Sequence, residues 1–73
     1  MKKYRFKEKC CVYDFAIFRE IKTIKEKGDR FVIDVVEKDM IIIYWGKTIY
    51  RQPKNMGAIT FEQFKYFVEP TGE

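Results

Sequence analysis

The side chains that most often carry acid–base and nucleophilic chemistry are missing here. The 73-residue chain contains no histidine and no serine, which removes Ser-His-Asp and Cys-His arrangements and the one side chain that titrates near neutrality. Its carboxylates, among them Asp29, Glu37, Asp39, Glu62 and Glu69, are scattered beside turns and termini, where solvated charges belong, rather than paired for catalysis. Cys10 and Cys11 are neighbours, so they cannot close a loop or supply the spaced ligands of a zinc site. They read as reduced, buried thiols. Gly28, Gly46, Gly57 and Gly72 stand alone, each explained by a turn or a terminus, and no phosphate-cradling loop is present. The expectation is a protein that binds rather than catalyses, without metal or cofactor.

Cations and aromatic rings offer the next chemistry. The net charge is +4, and it is uneven: residues 1–30 hold ten positive against five negative groups, residues 31–73 five against six. The run from Tyr44 to Lys54 contains three cations, three aromatics and no acid. Cations neutralise phosphates and exposed rings stack on bases, so Lys2, Lys3, Arg5, Lys7, Tyr44, Lys47, Arg51 and Lys54 form a candidate nucleic-acid surface. The competing reading is a solvated basic surface.

The elements that must position these groups follow from periodicity. In residues 1–9, Tyr4 and Phe6 alternate with charges, the two-residue period of a half-exposed strand, so this segment is a basic arm or edge strand. Residues 10–27 admit two readings. As strands, Cys11, Tyr13, Phe15, Ile17, Ile21 and Thr23 share one side. As a helix, Cys10, Tyr13, Ile17, Ile21 and Ile24 lie on one stripe, with Asp14 as cap and Gly28 at the C-terminal glycine position. We adopt the strand reading and keep the helix as its alternative.

The middle is a three-stranded antiparallel meander over residues 31–51. Phe31–Val36 and Met40–Trp45 are joined by Glu37-Lys38-Asp39, and Gly46-Lys47 suits a tight turn into Thr48–Arg51. With Val36 facing Met40, one side holds Phe31, Ile33, Val35, Ile41, Ile43, Trp45 and Tyr50. The other side holds Val32, Val36, Met40, Ile42, Tyr44 and Ile49 with Asp34 and Arg51. That second face is mostly apolar, and Val32, Met40, Ile42, Tyr44, Ile49 and Arg51 are its candidate partner-binding residues. The partner is another protein or a second copy of the chain. Residues 52–58, with Pro53, Asn55 and Gly57, read as a loop. Thr60 and Gln63 then fit a capping box, and Ile59 with Phe64 a hydrophobic staple, for a C-terminal helix within residues 60–69 that Pro70 ends.

Lys27-Gly28-Asp29-Arg30-Phe31, the meander and Thr60-Phe61-Glu62-Gln63-Phe64-Lys65-Tyr66-Phe67 together resemble small SH3-like β-barrel proteins of phages and mobile elements. The chain's lack of leucine and its abundance of isoleucine and lysine match the AT-rich genomes of low-GC Gram-positive bacteria. The resemblance implies a mainly β fold, a five-stranded, partly open barrel with a short C-terminal helix, used for binding and acting as a modulator or inhibitor of a host protein. The helical alternative for residues 10–27 gives the order α-β-β-β-α, which resembles a double-stranded-RNA-binding domain, although that family's glycine-proline loop with histidine and its lysine-rich helix start are missing.

Size sets the frame. With 47% apolar residues the chain sustains one core, and residues 1–73 are expected to be a single domain. A domain this small buries only about 60% of the surface its unfolded form exposes, so its stability is modest. No apolar run approaches the roughly eighteen residues of a membrane span and no leader pattern opens the chain, so a cytoplasmic setting is expected, that of the host if the protein is phage-encoded.

Overall fold

The computed structural model describes residues 2–15, 22–45 and 56–72. In chain order they form β1 (Lys3–Phe6), β2 (Cys10–Asp14), β3 (Lys22–Lys25), β4 (Arg30–Val36), β5 (Ile41–Tyr44), β6 (Met56–Ile59), α1 (Phe61–Phe67) and β7 (Val68–Pro70). The fold is mainly β, a curled antiparallel half-barrel with one short helix. The strands lie in a single sheet in the order β3-β2-β6-β5-β4-β1-β7.

The curl encloses one apolar face. Phe6, Val12, Ile43 and Ile59 are the largest side chains fully buried there, with Phe31 and Ile41 nearly so, and each contributes about 1.5–3 kcal/mol relative to exposure. Tyr4 stacks on Phe31 at 5.9 Å between ring centroids, and Phe6 meets the same ring at 4.8 Å. The helix closes this side: Phe64 and Phe67 pack on the core, and Phe64 meets Tyr4 edge-on. Its N-terminus is capped as the sequence pattern requires. The Thr60 hydroxyl accepts from the Gln63 backbone N–H at 3.0 Å, and the Gln63 side chain accepts from the Thr60 N–H at 2.9 Å, an arrangement worth about 1 kcal/mol.

Residues 10–27 contribute strands, which overturns the helical alternative for the segments Cys10–Asp14 and Lys22–Lys25. Cys10 pairs with Lys25 and Tyr13 with Lys22. The inward side of β2 is the even one, with Cys10 and Val12 buried, whereas Cys11 is exposed. Only one of the two thiols is therefore a core group. Burial, with Cys11 beside it, pushes the Cys10 thiol above its ordinary pKa.

Three further expectations are corrected. β1 is neither a loose arm nor an edge: it pairs with β4 on one side and β7 on the other. Its apolar residues Tyr4 and Phe6 face the core while the charges between them face out. The place beside β5 expected for the third strand of the meander is taken by another segment, and Thr48–Arg51 lies outside the described residues. Both sides of β5 are occupied, by β4 and by Met56–Ile59, a segment whose glycine and preceding proline read as loop. Lastly, the helix ends at Phe67 and the chain continues as β7, where Phe6 pairs with Val68.

The β4–β5 register holds only in part. Val32 faces Tyr44 and Ile33 faces Ile43, as the alternation predicts, but past Asp34 the partners become Val35 with Ile42 and Val36 with Ile41. Asp34 is thus the extra residue of a β-bulge, which bends the strand and increases its twist, in keeping with the curl of the sheet. The turn grows from three residues to four, closed by the Glu37 N–H donating to the Met40 carbonyl at 2.8 Å. Val35 moves to the outer face and Met40 into the turn.

Candidate functional site

Cross-strand partners share a face, so the strand register defines the side of the sheet opposite the core. One row runs Lys3, Val32, Tyr44, Met56, and the next runs Val35, Ile42, Ala58, Tyr13. Val32, Ile42, Tyr44, Met56 and Tyr13 are half-buried and Val35 is exposed. Ala58 is buried between its larger neighbours Ile42 and Tyr13. The result is an apolar array three to four strands wide, and α1, the one helix among the described residues, lies on the other face.

Of the expected partner-binding residues, Val32, Ile42 and Tyr44 are brought together at the centre of this array. Met40 stands off it in the β4–β5 turn, and Ile49 and Arg51 lie outside the described residues. Sequence reasoning missed Val35, Met56, Ala58 and Tyr13. Val35 was hidden by the bulge. The outward pattern of Met56 and Ala58 became visible only once β6 was known to be a strand.

The basic candidates divide in the same way. Lys3 borders the apolar array in the Val32–Tyr44 row, and Lys2 is exposed just before it. Arg5 faces Arg30 on one side and Glu69 on the other, and its Nε donates to Glu69 Oε1 at 2.8 Å. Both side chains of this pair are 41% exposed, so the bond orients Arg5 more than it stabilises the fold, contributing under about 1 kcal/mol. Lys7 follows β1 and does not share the Lys3–Tyr44 row. Lys47, Arg51 and Lys54 lie outside the described residues.

A second constellation, not expected from sequence, sits on the inner side at the β3 end of the sheet. The Lys25 Nζ lies 3.7 Å from the centroid of the Trp45 ring, and Thr23 donates a hydroxyl hydrogen bond to Asp14 Oδ2 at 2.8 Å. The ring of Trp45 also covers Gly57. A cation over an indole face contributes about 1 kcal/mol, more as water is excluded. Burial lowers the Lys25 pKa below the ordinary 10.5, with Asp29 and Asp14 opposing that shift. A lysine with a depressed folded pKa takes up protons on unfolding. The ionisation-linked part of its contribution is therefore unfavourable at neutral pH, set against the gain from the ring contact, and improves as pH rises through the folded value towards 10.5.

Trp45 is the chain's single tryptophan, which makes this linkage readable. Its emission, excited beyond the tyrosine band, is expected to change with a midpoint below 10.5, and Lys25→Met should remove that step while the fold persists. A step that survives the substitution would mean that the ammonium does not rest on the ring.

Among the described residues no three of Cys, Asp and Glu approach closely enough to hold a metal ion, and no helix is long and apolar enough to cross a membrane. No family model, curated protein or solved structure matches the chain.

Proposed function

We propose that this chain is a non-enzymatic binding module that docks on another protein through the outer face of its sheet. The observation that carries the reading is the array of Val32, Tyr44 and Met56 beside Val35, Ile42 and Ala58, on the face opposite the helix-covered core. Such a surface, with an apolar centre, two tyrosines and a cationic border at Lys3, Arg5 and Arg30, has the composition of a protein interface. It fits a partner that presents apolar anchors ringed by carboxylates. A second copy of this chain is the poorer occupant, since it would bring like charges together at that border.

The finer reading is a small SH3-like barrel of phage or mobile-element origin acting in the host cytoplasm as a modulator or inhibitor of a host protein. What supports it is the curled antiparallel sheet with its short C-terminal helix together with the composition, although the described residues already supply seven strands rather than the five of the resemblance. Nucleic-acid binding through this face has less behind it, because the cations stand only at the border of the array and its apolar centre offers phosphates nothing.

Ile42→Asp and Tyr44→Asp test the proposal. Each places a carboxylate in the array, so partner capture from a nuclease-treated host lysate is expected to fall at least about tenfold, a change equivalent to about 1.4 kcal/mol. The melting temperature is expected to drop by only a few degrees, because these side chains are half-buried. Capture unchanged in both variants would overturn the reading. So would global unfolding of both, which would make the face a second core. Binding that vanishes with nuclease and falls steeply with salt would replace it with the nucleic-acid alternative.

A further inference from the structure

Where β1 ends, three parts of the chain converge around a cavity of about 280 Å³ lined by Arg5, Phe6, Lys7, Lys27, Gly28 and Glu69. The walls are tied together by backbone hydrogen bonds. Gly28 N–H donates to the Phe6 carbonyl at 2.7 Å, Phe6 N–H to the Asp29 carbonyl at 2.9 Å, and Lys7 N–H to the Phe67 carbonyl at 2.9 Å. The strand end, the β3–β4 turn and the helix–β7 junction are thereby held in one frame, with the buried Phe6 ring behind them. Gly28 has a φ of +94°, which lets the turn present its N–H to Phe6 and sets Lys27 at the rim.

The charges on this frame do not cancel. Three cations line the cavity against one carboxylate, and Glu69 is engaged by Arg5 Nε. The acids of the adjoining turn are also occupied. Asp29 Oδ2 accepts the Glu26 N–H at 2.8 Å, and Glu26 lies 4.0 Å from Lys9. Among the described residues no ion pair joins Lys7 or Lys27 to an acid. Glu69 fixes the guanidinium by one of its five N–H donors, so Arg5 enters the site oriented while the two lysines supply mobile point charges.

We infer that this cleft is a binding site for a small phosphate-type polyanion, held by Arg5, Lys7 and Lys27. The class of ligand follows from the donors. The backbone N–H groups of Phe6, Lys7 and Gly28 are spent on the frame, so no main-chain nest reads tetrahedral shape, and selection is by charge. A multiply charged anion that spans the two ammonium groups and the guanidinium gains from all three, whereas a monovalent carboxylate gains from one or two. The inference does not depend on the apolar outer face, and the outer-face variants Ile42→Asp and Tyr44→Asp are expected to leave it intact.

The test is an amide-resolved NMR titration of the full chain with inorganic pyrophosphate, against sodium chloride at matched ionic strength. Saturable shifts are expected around residues 5–7, 26–29 and 67–69, with acetate binding at least about tenfold more weakly. In the double variant Lys7→Gln, Lys27→Gln the affinity for pyrophosphate is expected to fall by at least about tenfold, while Lys65→Gln, on the exposed side of α1, changes nothing. Both lysines are exposed, so the double variant folds, and its unperturbed spectrum elsewhere verifies this. Shifts that fail to saturate, that spread over every lysine-bearing surface, or that persist in the double variant would overturn the site.

Discussion

Gly57→Ala is expected to destabilise the protein severely. Gly57 lies in the middle of β6, buried, with Ile43 and Asp14 as its cross-strand neighbours. Its φ is not in the positive region, so the position asks for room and not for glycine's conformational freedom. A Cβ there would lie 2.1 Å from the Tyr13 carbonyl oxygen and 2.9 and 3.0 Å from Trp45 Cη2 and Cζ3. The indole can turn aside at the cost of its contact with Lys25. The carbonyl cannot, because β2 is held to β6 by the Tyr13–Ala58 pairing and by the Phe15 N–H donating to the Met56 carbonyl at 2.9 Å. Overpacking alone costs about 1–3 kcal/mol, and each ladder hydrogen bond lost adds about 1 kcal/mol.

Set against the roughly 4–11 kcal/mol that a chain of this length commands, a loss of about 3–5 kcal/mol consumes much or all of the margin. A urea melt followed by far-ultraviolet circular dichroism measures it. The midpoint should fall by at least about half, and adding Trp45→Phe should restore little, since the backbone obstruction remains. A Gly57→Ala melt within about 1 kcal/mol of the parent would show that β2 and β6 are not packed as closely as described.

That glycine also shows where sequence reasoning stops. Read along the chain, Met56-Gly57-Ala58-Ile59 follows Pro53 and Asn55 and carries the marks of a loop. Its reason for being a strand is the flat approach of a distant indole and a distant carbonyl, and no local pattern carries that information. The capping box at Thr60 and Gln63 was legible because both partners lie within one turn. The β4–β5 pairing was legible up to Ile33, where alternation distinguishes the two faces. Beyond it Val35 and Val36 are equally apolar, so periodicity could not choose between the straight register and the bulge at Asp34. The proposed docking face was accordingly half visible: Val32, Ile42 and Tyr44 were placed on one side, while Val35, Met56, Ala58 and Tyr13 needed the bulge and the two long-range pairings of β6. The cation–indole contact of Lys25 with Trp45 joins residues twenty positions apart and left no trace in composition.

The N-terminal charges misled in a more instructive way, and the consequence is the other large effect expected. Deleting residues 1–6 should abolish folding, and Phe6→Ala alone should cost about 3–5 kcal/mol. An arm that merely carries cations could be removed without loss of structure. Here Phe6 is 1% exposed and packs on Phe31, while its backbone joins the Asp29 carbonyl and the Gly28 N–H. Through β1 the sheet passes from β4 to β7, so its loss would expose the edge of β4 and leave β7 without its strand partner. Charge and core thus alternate along the same six residues. Replacing Lys2, Lys3 and Lys7 by glutamine should leave the melt within about 1 kcal/mol of the parent, as surface substitutions do. Any loss of ligand binding after truncation would therefore report unfolding, whereas loss after the glutamine replacements would report charge. If the truncated chain instead retains a cooperative melt and the partly buried environment of Trp45, then β1 is an appendage and the half-barrel closes without it.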